Sequence, residues 1–320
     1  MKCCILYNQP GDNALADELD IIEQVEYVES HLHEMNIGTY RKGITTDFMN
    51  ELSHLSENRP DFVFNLAESI NNKGELLYFV PAILNLYSIP YTGNPLEAMF
   101  ITTSKALTHK MLSNAGLSTP AAFFPSQAGK LVPGRKYIIK PIWEDGSMGI
   151  TAESVFIAGP ETAKKLEGFN DTHWIIQEFI DGREFNISVM MGPNGPEVLP
   201  PAEMTFLNYG DDRPKIVDFK AKWEEGSFEF ENTVRKFPGS ALNSILEERL
   251  RELAIGCWNV FGLKGYARVD MRIDKDENPY IIEVNANPCI SPNGGFAAAT
   301  HEAGYKFTDV LQWIIDDLNR

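Results

Sequence analysis

The chain has 320 residues, 43% of them hydrophobic, with a formal net charge of −17 at pH 7, which is apolar material enough for about two or three modest domains. The excess of acid excludes a non-specific nucleic-acid or anionic-membrane surface, because both are polyanions that such a protein repels at long range. Small molecules are the expected partners, and an anionic one must meet a local cluster of Lys, Arg, metal ion or backbone N–H groups that overrides the global field.

Met1 to Tyr7 reads as a first strand, too short an apolar run for a signal peptide. No later window approaches a membrane span, so a cytoplasmic protein is expected. A loop from Asn8 to Asp17 follows, and then Ile21, Ile22, Val25, Val28 and Leu32 recur at helical spacing among acidic residues. Asp61 to Asn65 is a short apolar strand, and Gly74 to Tyr87 reads as a helix. This alternation predicts a small parallel α/β domain that closes just beyond Ile89-Pro90-Tyr91-Thr92-Gly93.

A second unit opens with a helical pattern from Lys105 to Asn114. Strands are expected at Tyr137 to Lys140, Ser154 to Ile157 and Trp174 to Phe179, with a helix around Pro160 to Gly168. From about Glu184 the pattern gives strands at Phe185 to Met190, Tyr266 to Ile273 and Tyr280 to Val284, a long helix from Asn243 to Phe261, and a helical tail from Phe307 to Asn319. The four cysteines, Cys3, Cys4, Cys257 and Cys289, show neither metal-ligand spacing nor a C-x-x-C pair, and read as buried or semi-buried thiols in a reducing compartment.

Chemistry gathers in three places. Along two runs that alternate like strands, Arg268, Asp270 and Arg272 share one face and Glu283 and Asn285 share another. If the strands pair, Asp, Glu and Asn oxygens beside an Arg make a Mg²⁺ site suited to a nucleotide triphosphate; otherwise they are the polar outer face of a hairpin. The turn Asp274 to Asn278 opens like a Ca²⁺ loop, but Pro279 stands at its sixth position and Asn285 at its twelfth, so a plain hairpin turn is the better reading.

Lys105 opens a helix, and Lys140 ends an apolar strand just before the loop Trp143 to Gly149, which could offer N–H groups to phosphate. No P-loop or Rossmann run is present. Ile176 to Glu184 is a strand, turn and acidic residue, read either as a surface turn or as a hinge for a nucleobase and ribose. Lys220 and Lys222, if extended, share one face, as phosphate contacts or as an ordinary exposed edge.

Taken in order, these pieces resemble the ATP-grasp superfamily, specifically its D-alanine–D-alanine ligase branch. The resemblance runs from about Asp61 to the C-terminus and rests on Phe64-Asn65-Leu66, Ile89 to Gly93, Lys105, Lys140-Pro141, Glu178 to Glu184, Ala221-Lys222-Trp223, Arg268 to Asp270 and Glu283-Val284-Asn285. It implies an α/β (α+β) ATP-grasp fold: an N-terminal parallel domain at 1–95, then ATP-clasping domains at 96–182 and 183–320, the last with a metal site. It also implies an ATP-dependent ligase that activates a carboxylate as an acyl phosphate and joins it to an amine, using ATP and two Mg²⁺ ions, with Mn²⁺ as the alternative.

Carried over to this chain, the resemblance assigns Lys105, Lys140 and Ser147 to the ATP phosphates. Gln177, Glu178, Phe179 and Ile180 would form the adenine hinge, and Glu184 would face the ribose. Lys222 would reach the terminal phosphates, and Asp270, Glu283 and Asn285 would hold metal. Arg268 would stabilise the acyl phosphate and the tetrahedral intermediate. A homodimer is compatible with the resemblance.

The family's His-Gly is Glu68-Ser69 here, its first loop Ser aligns with Gly146, its Tyr after the phosphate Lys is Trp223, and its Pro-Gly becomes Pro288-Cys289. The Ser that would hold the second substrate's carboxylate aligns with Gly294. These departures fall mainly in the amino-acid sites, so amino-acid or peptide substrates other than D-alanine are expected. A small-molecule kinase or a non-catalytic nucleotide-binding regulator on the same fold are the other readings.

Overall fold

In a computed structural model of the chain, which describes residues 1–11, 16–211 and 213–319, strands and helices assemble into three sheets. Residues 12–15, part of the loop expected after the first strand, lie outside the described residues. The chain opens with β1 (Lys2–Asn8), α1 (Ala16–Glu34), β2 (Gly38–Ile44), α2 (Phe48–Glu57) and β3 (Phe62–Asn65). These form a parallel sheet of order β2-β1-β3. Cys4 and Leu6 of β1 face one core while Cys3, Ile5 and Tyr7 face another. Both faces are therefore buried, as an apolar parallel strand requires.

Three helices lead to the second sheet: α3 (Phe79–Leu86), α4 (Leu96–Thr103) and α5 (Lys105–Asn114). Only the latter part of the helix expected from Gly74 is α-helical; Gly74–Leu76 is a tighter turn. The Ser104 hydroxyl caps α5 by accepting from the Leu107 N–H at 3.4 Å, which fixes Lys105 as its first residue.

An antiparallel sheet follows, with β4 (Ala122–Phe123), β5 (Lys136–Pro141), β6 (Val155–Ile157) and β7 (Trp174–Glu178), in the order β4-β7-β5-β6; the single-turn α6 (Thr162–Lys165) lies between β6 and β7. Tyr137, Ile139, Phe156, Leu166 and Ile176 pack its private core. Ile138 turns the other way, with Phe179 and Ile216.

The remaining elements are β8 (Arg183–Gly192), β9 (Gly195–Val198), β10 (Ala202–Phe206), α7 (Phe219–Trp223), α8 (Phe228–Asn232), β11 (Thr233–Lys236), α9 (Ser244–Phe261), β12 (Tyr266–Ile273), β13 (Pro279–Asn285), α10 (Gly295–Glu302) and α11 (Phe307–Asp316). Their sheet has the order β11-β10-β8-β12-β13, with β9 on β8. On α9, Leu246, Leu250, Ala254, Cys257, Trp258 and Phe261 form one buried stripe, and Gly262 at φ +59 ends the helix. That stripe packs in one core with Phe185, Val189 and Val269 and with Cys4 and Leu6 of the first sheet.

Two findings differ from the sequence reading. Lys220 and Lys222 are helical in α7, not extended, because the Asp218 side chain accepts from the Ala221 N–H at 3.0 Å and starts a turn. Two residues apart on a helix they point in different directions. The half-exposed β2 and the helix α2 are also additional to it. No helix among the described residues is long and apolar enough to cross a membrane.

Candidate active site

Between the two antiparallel sheets lies a cavity of about 900 Å³ lined by β5, β7, β8, β12 and β13. One wall of it is made by strand register. β12 and β13 pair antiparallel with Asp270 opposite Glu283 and Arg268 opposite Asn285, and the register shifts just after Asp270. The expected hairpin therefore exists, and its acidic residues meet. The Asp270 carboxylate accepts from Arg268 Nε at 2.7 Å and from its second guanidinium nitrogen at 2.8 Å, and from the amides of Asn186 at 2.9 Å and Asn285 at 3.2 Å. The turn between the strands is a plain hairpin turn closed by the Asp274 N–H donating to the Asn278 carbonyl at 3.0 Å.

Glu283 is ion-paired to Lys105, with Nζ 2.9 Å from Oε1. Burial alone would raise the Glu283 carboxyl, but Lys105 and then Lys140 outweigh it and hold the group down to about 2. Lys105 is 5% exposed and its Nζ also reaches Asp145 Oδ1 at 3.4 Å. Lys140, on β5, is buried on the same cavity, and Lys222 lines it from α7. Burial lowers the pKa of both, because the charged ammonium loses hydration there.

The opposite wall is the strand end after β7. Gln177, Glu178, Phe179 and Ile180 all line the cavity. The Gln177 amide oxygen is buried without a hydrogen-bond partner among the described residues, whereas Glu178 pairs outward with Arg135 at 2.9 Å. Glu184 is buried and paired to Arg272 at 2.8 Å. Arg272 also donates to the carbonyls of Ile180, Gly182 and Lys215 at 2.8, 3.1 and 2.7 Å, and stands over the Phe179 ring. Gly182 is obligatory here, since a Cβ would lie 1.9 Å from the Ile273 carbonyl oxygen.

The loop after Lys140 is latched across the cavity. Ser147 Oγ donates to the Val217 carbonyl at 2.6 Å, and Trp223 Nε1 donates to the Gly146 carbonyl at 3.1 Å. The loop therefore sits on the 217–223 segment, and its Glu144 carbonyl and Asp145 carboxylate meet the Lys105 ammonium.

Residues 134–316 match the family model described as the D-ala D-ala ligase C-terminus. The chain belongs to that family. It is 30% identical over 250 residues to the D-alanine–D-alanine ligase of Carboxydothermus hydrogenoformans, covering 74% of this chain and 75% of that protein. Its fold matches the crystal structure of the D-alanine–D-alanine ligase of Bacillus anthracis, with a TM-score of 0.76, 22% identity and coverage of 100% and 98%. The same holds for that ligase complexed with ATP, with a TM-score of 0.74, 18% identity and the same coverage. The D-Ala–D-Ala ligase family thus gives this chain its ATP-grasp fold.

Every site residue expected from the D-Ala–D-Ala ligase resemblance faces this cavity, except that Asn285 reaches it through its bond to Asp270. Cys289 also lines it; its thiol donates to Asp20 Oδ2 at 3.0 Å, and burial, then Asp20, pushes its pKa far up. Three features were not read from sequence. The anchoring fan of Arg272 joins residues about ninety apart, with no local signal. Arg235, on β11, lines the cavity although its strand reads as an ordinary polar edge. Asp20 and Glu23 of α1 line the far side of the same cavity.

Among the described residues no cluster of three or more His, Cys, Asp or Glu that could hold a metal ion occurs; the oxygen donors an ion would find here are the Asp270 and Glu283 carboxylates, with the Asn285 amide bonded to Asp270. Mg²⁺ suits such a set because it keeps waters and takes ligands from substrate phosphates.

Proposed function

We propose that the protein is an ATP-dependent carboxylate–amine ligase whose amino-acid sites differ from those for D-alanine. The observation that carries this reading is the convergence of Lys105, Lys140, Lys222 and Arg268 with Asp270 and Glu283 on one cavity. Three units at 1–95, 96–182 and 183–320 build it, with ATP between the second and third.

A carboxylate is a poor electrophile. In this reading its oxygen attacks the terminal phosphorus of ATP and ADP leaves; the amine then attacks the acyl carbon, phosphate departs, and the amine loses a proton. Lys105, Lys140 and Lys222, with Ser147 in the covering loop, bind the phosphates, and Gln177 to Ile180 with Glu184 take the adenosine. Asp270, Glu283 and Asn285 would hold magnesium, which would supply neutralisation of the phosphate charge. Arg268 stays charged and faces the oxyanion of the acyl-transfer step.

The latched loop has a role in excluding water. Trp223→Phe keeps the ring and deletes the bond to Gly146; ADP release without an amine substrate is expected to rise about three- to tenfold relative to amide formation. A coupled assay of ADP against amide product checks this, and an unchanged ratio would remove the loop from water exclusion.

At the acceptor end, a Cβ on Gly294 would lie 2.9 Å from the Ser291 carbonyl oxygen and 3.2 Å from Cys289 Sγ, so no serine fits there without movement. D-alanine is accordingly expected to be a poor substrate. The test is ADP and phosphate release with Mg²⁺-ATP against a panel of D- and L-amino acids and dipeptides, with mass spectrometry of products. Efficient D-alanyl-D-alanine synthesis would overturn the substrate reading. A stable phosphorylated product without an amide would favour a kinase, and ATP binding without turnover a regulator.

A further inference from the structure

A second cavity, of about 360 Å³, shares no lining residue with the one described above. It lies where three segments meet: the chain from Asn85 at the end of α3 to Pro95, the two residues that lead into β12, and the residues just past α11. Its volume is within the range of small-molecule sites, about 300–1,000 Å³.

The backbone fixes its walls. A Cβ on Gly265, which stands at φ +62, would lie 3.1 Å from the Gly93 Cα, so the first two segments touch. Beside that contact the Asn94 amide oxygen accepts from the Lys264 N–H at 2.7 Å, and its nitrogen donates to the Tyr266 carbonyl at 2.8 Å. The third segment is tied on by the Gly265 N–H, which donates to Asp317 Oδ2 at 2.8 Å.

That bond uses one oxygen of Asp317 and leaves the other. Asp317 lines the cavity and is 4% exposed, and its Oδ1 has no hydrogen-bond partner among the described residues. A buried carboxylate oxygen without a donor is costly, more so than a neutral group. A cation entering the adjoining cavity would answer it. A metal ion is a poor match, because among the described residues no cluster of three or more His, Cys, Asp or Glu could hold one, and Lys264 shares the cavity. An ammonium group needs no such cluster. Lys264 is exposed and has no carboxylate at ion-pair distance among the described residues, so it calls for an acid group on the same ligand. Much of the remaining wall, Ile89, Pro90, Pro95, Ile314 and Leu318, is apolar, and its two prolines have no N–H to offer.

We propose that this cavity is a second ligand site, which takes a small zwitterion with a compact apolar body, its ammonium group on Asp317 and its carboxylate on Lys264. The site does not depend on the ligase reading, and its test needs no turnover.

Valine (both enantiomers), isobutylamine and isovalerate are titrated calorimetrically into the full chain. The parent is expected to bind valine most tightly, isobutylamine next and isovalerate least. Asp317→Asn keeps an acceptor for the Gly265 N–H and deletes the charge, so it should weaken valine and isobutylamine by about 10- to 100-fold. Lys264→Gln, at an exposed position, should weaken valine by about two- to fivefold and leave isobutylamine unchanged. Arg268→Gln, in the main cavity, should alter neither. Binding that is lost in Arg268→Gln and kept in Asp317→Asn puts the ligand in the main cavity and overturns the proposal. So does isovalerate binding as tightly as valine, or no binding of valine and isobutylamine.

Stability gives a separate reading. Without ligand, Asp317→Asn should unfold at the same urea concentration as the parent or a higher one, since it removes a buried charge that lacks a partner. Valine should raise the midpoint of the parent and not that of the variant. A ligand-free variant clearly less stable than the parent would mean that Asp317 Oδ1 is already answered within the fold, and overturns the proposal.

Discussion

Glu283→Gln is expected to lower kcat by about 1,000-fold or more and to destabilise the fold in the same protein. The carboxylate serves two neighbours. Toward the cavity it faces Asp270 across the β12–β13 ladder and would bind metal; toward the protein it is the 2.9 Å partner of Lys105. An amide is isosteric but neutral, so the variant leaves Lys105 with Asp145 at 3.4 Å as its nearest carboxylate. Lys105 is 5% exposed and Glu283 21%, so the loss should lie near the low end for a broken buried pair, about 3 kcal/mol.

The sign of the pH dependence follows from the depressed carboxyl. Glu283 contributes stability in full above its ordinary value of 4.5 and loses it as the pH falls toward about 2, so the gap between parent and variant should close over that range. Urea unfolding at several pH values and steady-state kinetics at pH 7 check both halves. Stability lost with kcat intact would make Glu283 a structural partner of Lys105 and remove it from the metal site. Asp270→Asn, which disturbs Arg268 and not Lys105, should reproduce the kinetic loss without that pH signature.

The parts of the site legible in the sequence are those carried by local pattern. Period-two alternation through Tyr266 to Ile273 and Tyr280 to Val284, with a short polar turn between, gives the hairpin, and the pairing of Asp270 with Glu283 follows once it closes. Lys105 was legible as a helix start from the helical pattern through Asn114, and the Ser104 cap is what fixes it there. Where local signals conflict, the reading fails. Asp218-Phe219-Lys220 looks extended by alternation, but the Asp218 cap decides for helix and sends Lys220 and Lys222 apart.

Other parts have no local signature. β2 is half-exposed and carries Arg41 and Lys42, so its strand character comes from pairing with β1. Arg235 is one charged residue on a four-residue edge strand, and its place on the cavity wall appears only when the segment before α10, sixty residues later, is folded against it. The ordered set of motifs covers the part of the cavity lined by β5, β7, β8, β12 and β13, but the wall opposite is assembled from α1, β11 and α10, whose residues carry no shared spacing.

Arg272→Met is expected to destabilise the protein by about 3–5 kcal/mol. Arg272 is 3% exposed and answers Glu184, itself buried, at 2.8 Å, while three carbonyls from the 180–182 turn and from Lys215 take its other hydrogens. Methionine fills much of the volume and restores none of these bonds, leaving a buried carboxylate and three carbonyls unanswered. Burial already raises the Glu184 pKa, and Arg272 is the charge that most opposes this; without it the carboxyl is pushed further up and its charged form is left costly. The turn that Arg272 pins is also the segment lining the cavity through Phe179 and Ile180. Loss of the pin should therefore weaken binding of an ATP analogue as well as stability, and Glu184→Gln in the Arg272→Met background should recover part of the stability, since it neutralises the stranded charge. Chemical denaturation of the three variants measures the coupling. Additive losses in the double variant would mean that Arg272 acts through its carbonyl contacts alone, and that the hinge owes its position to backbone bonds and not to the ion pair.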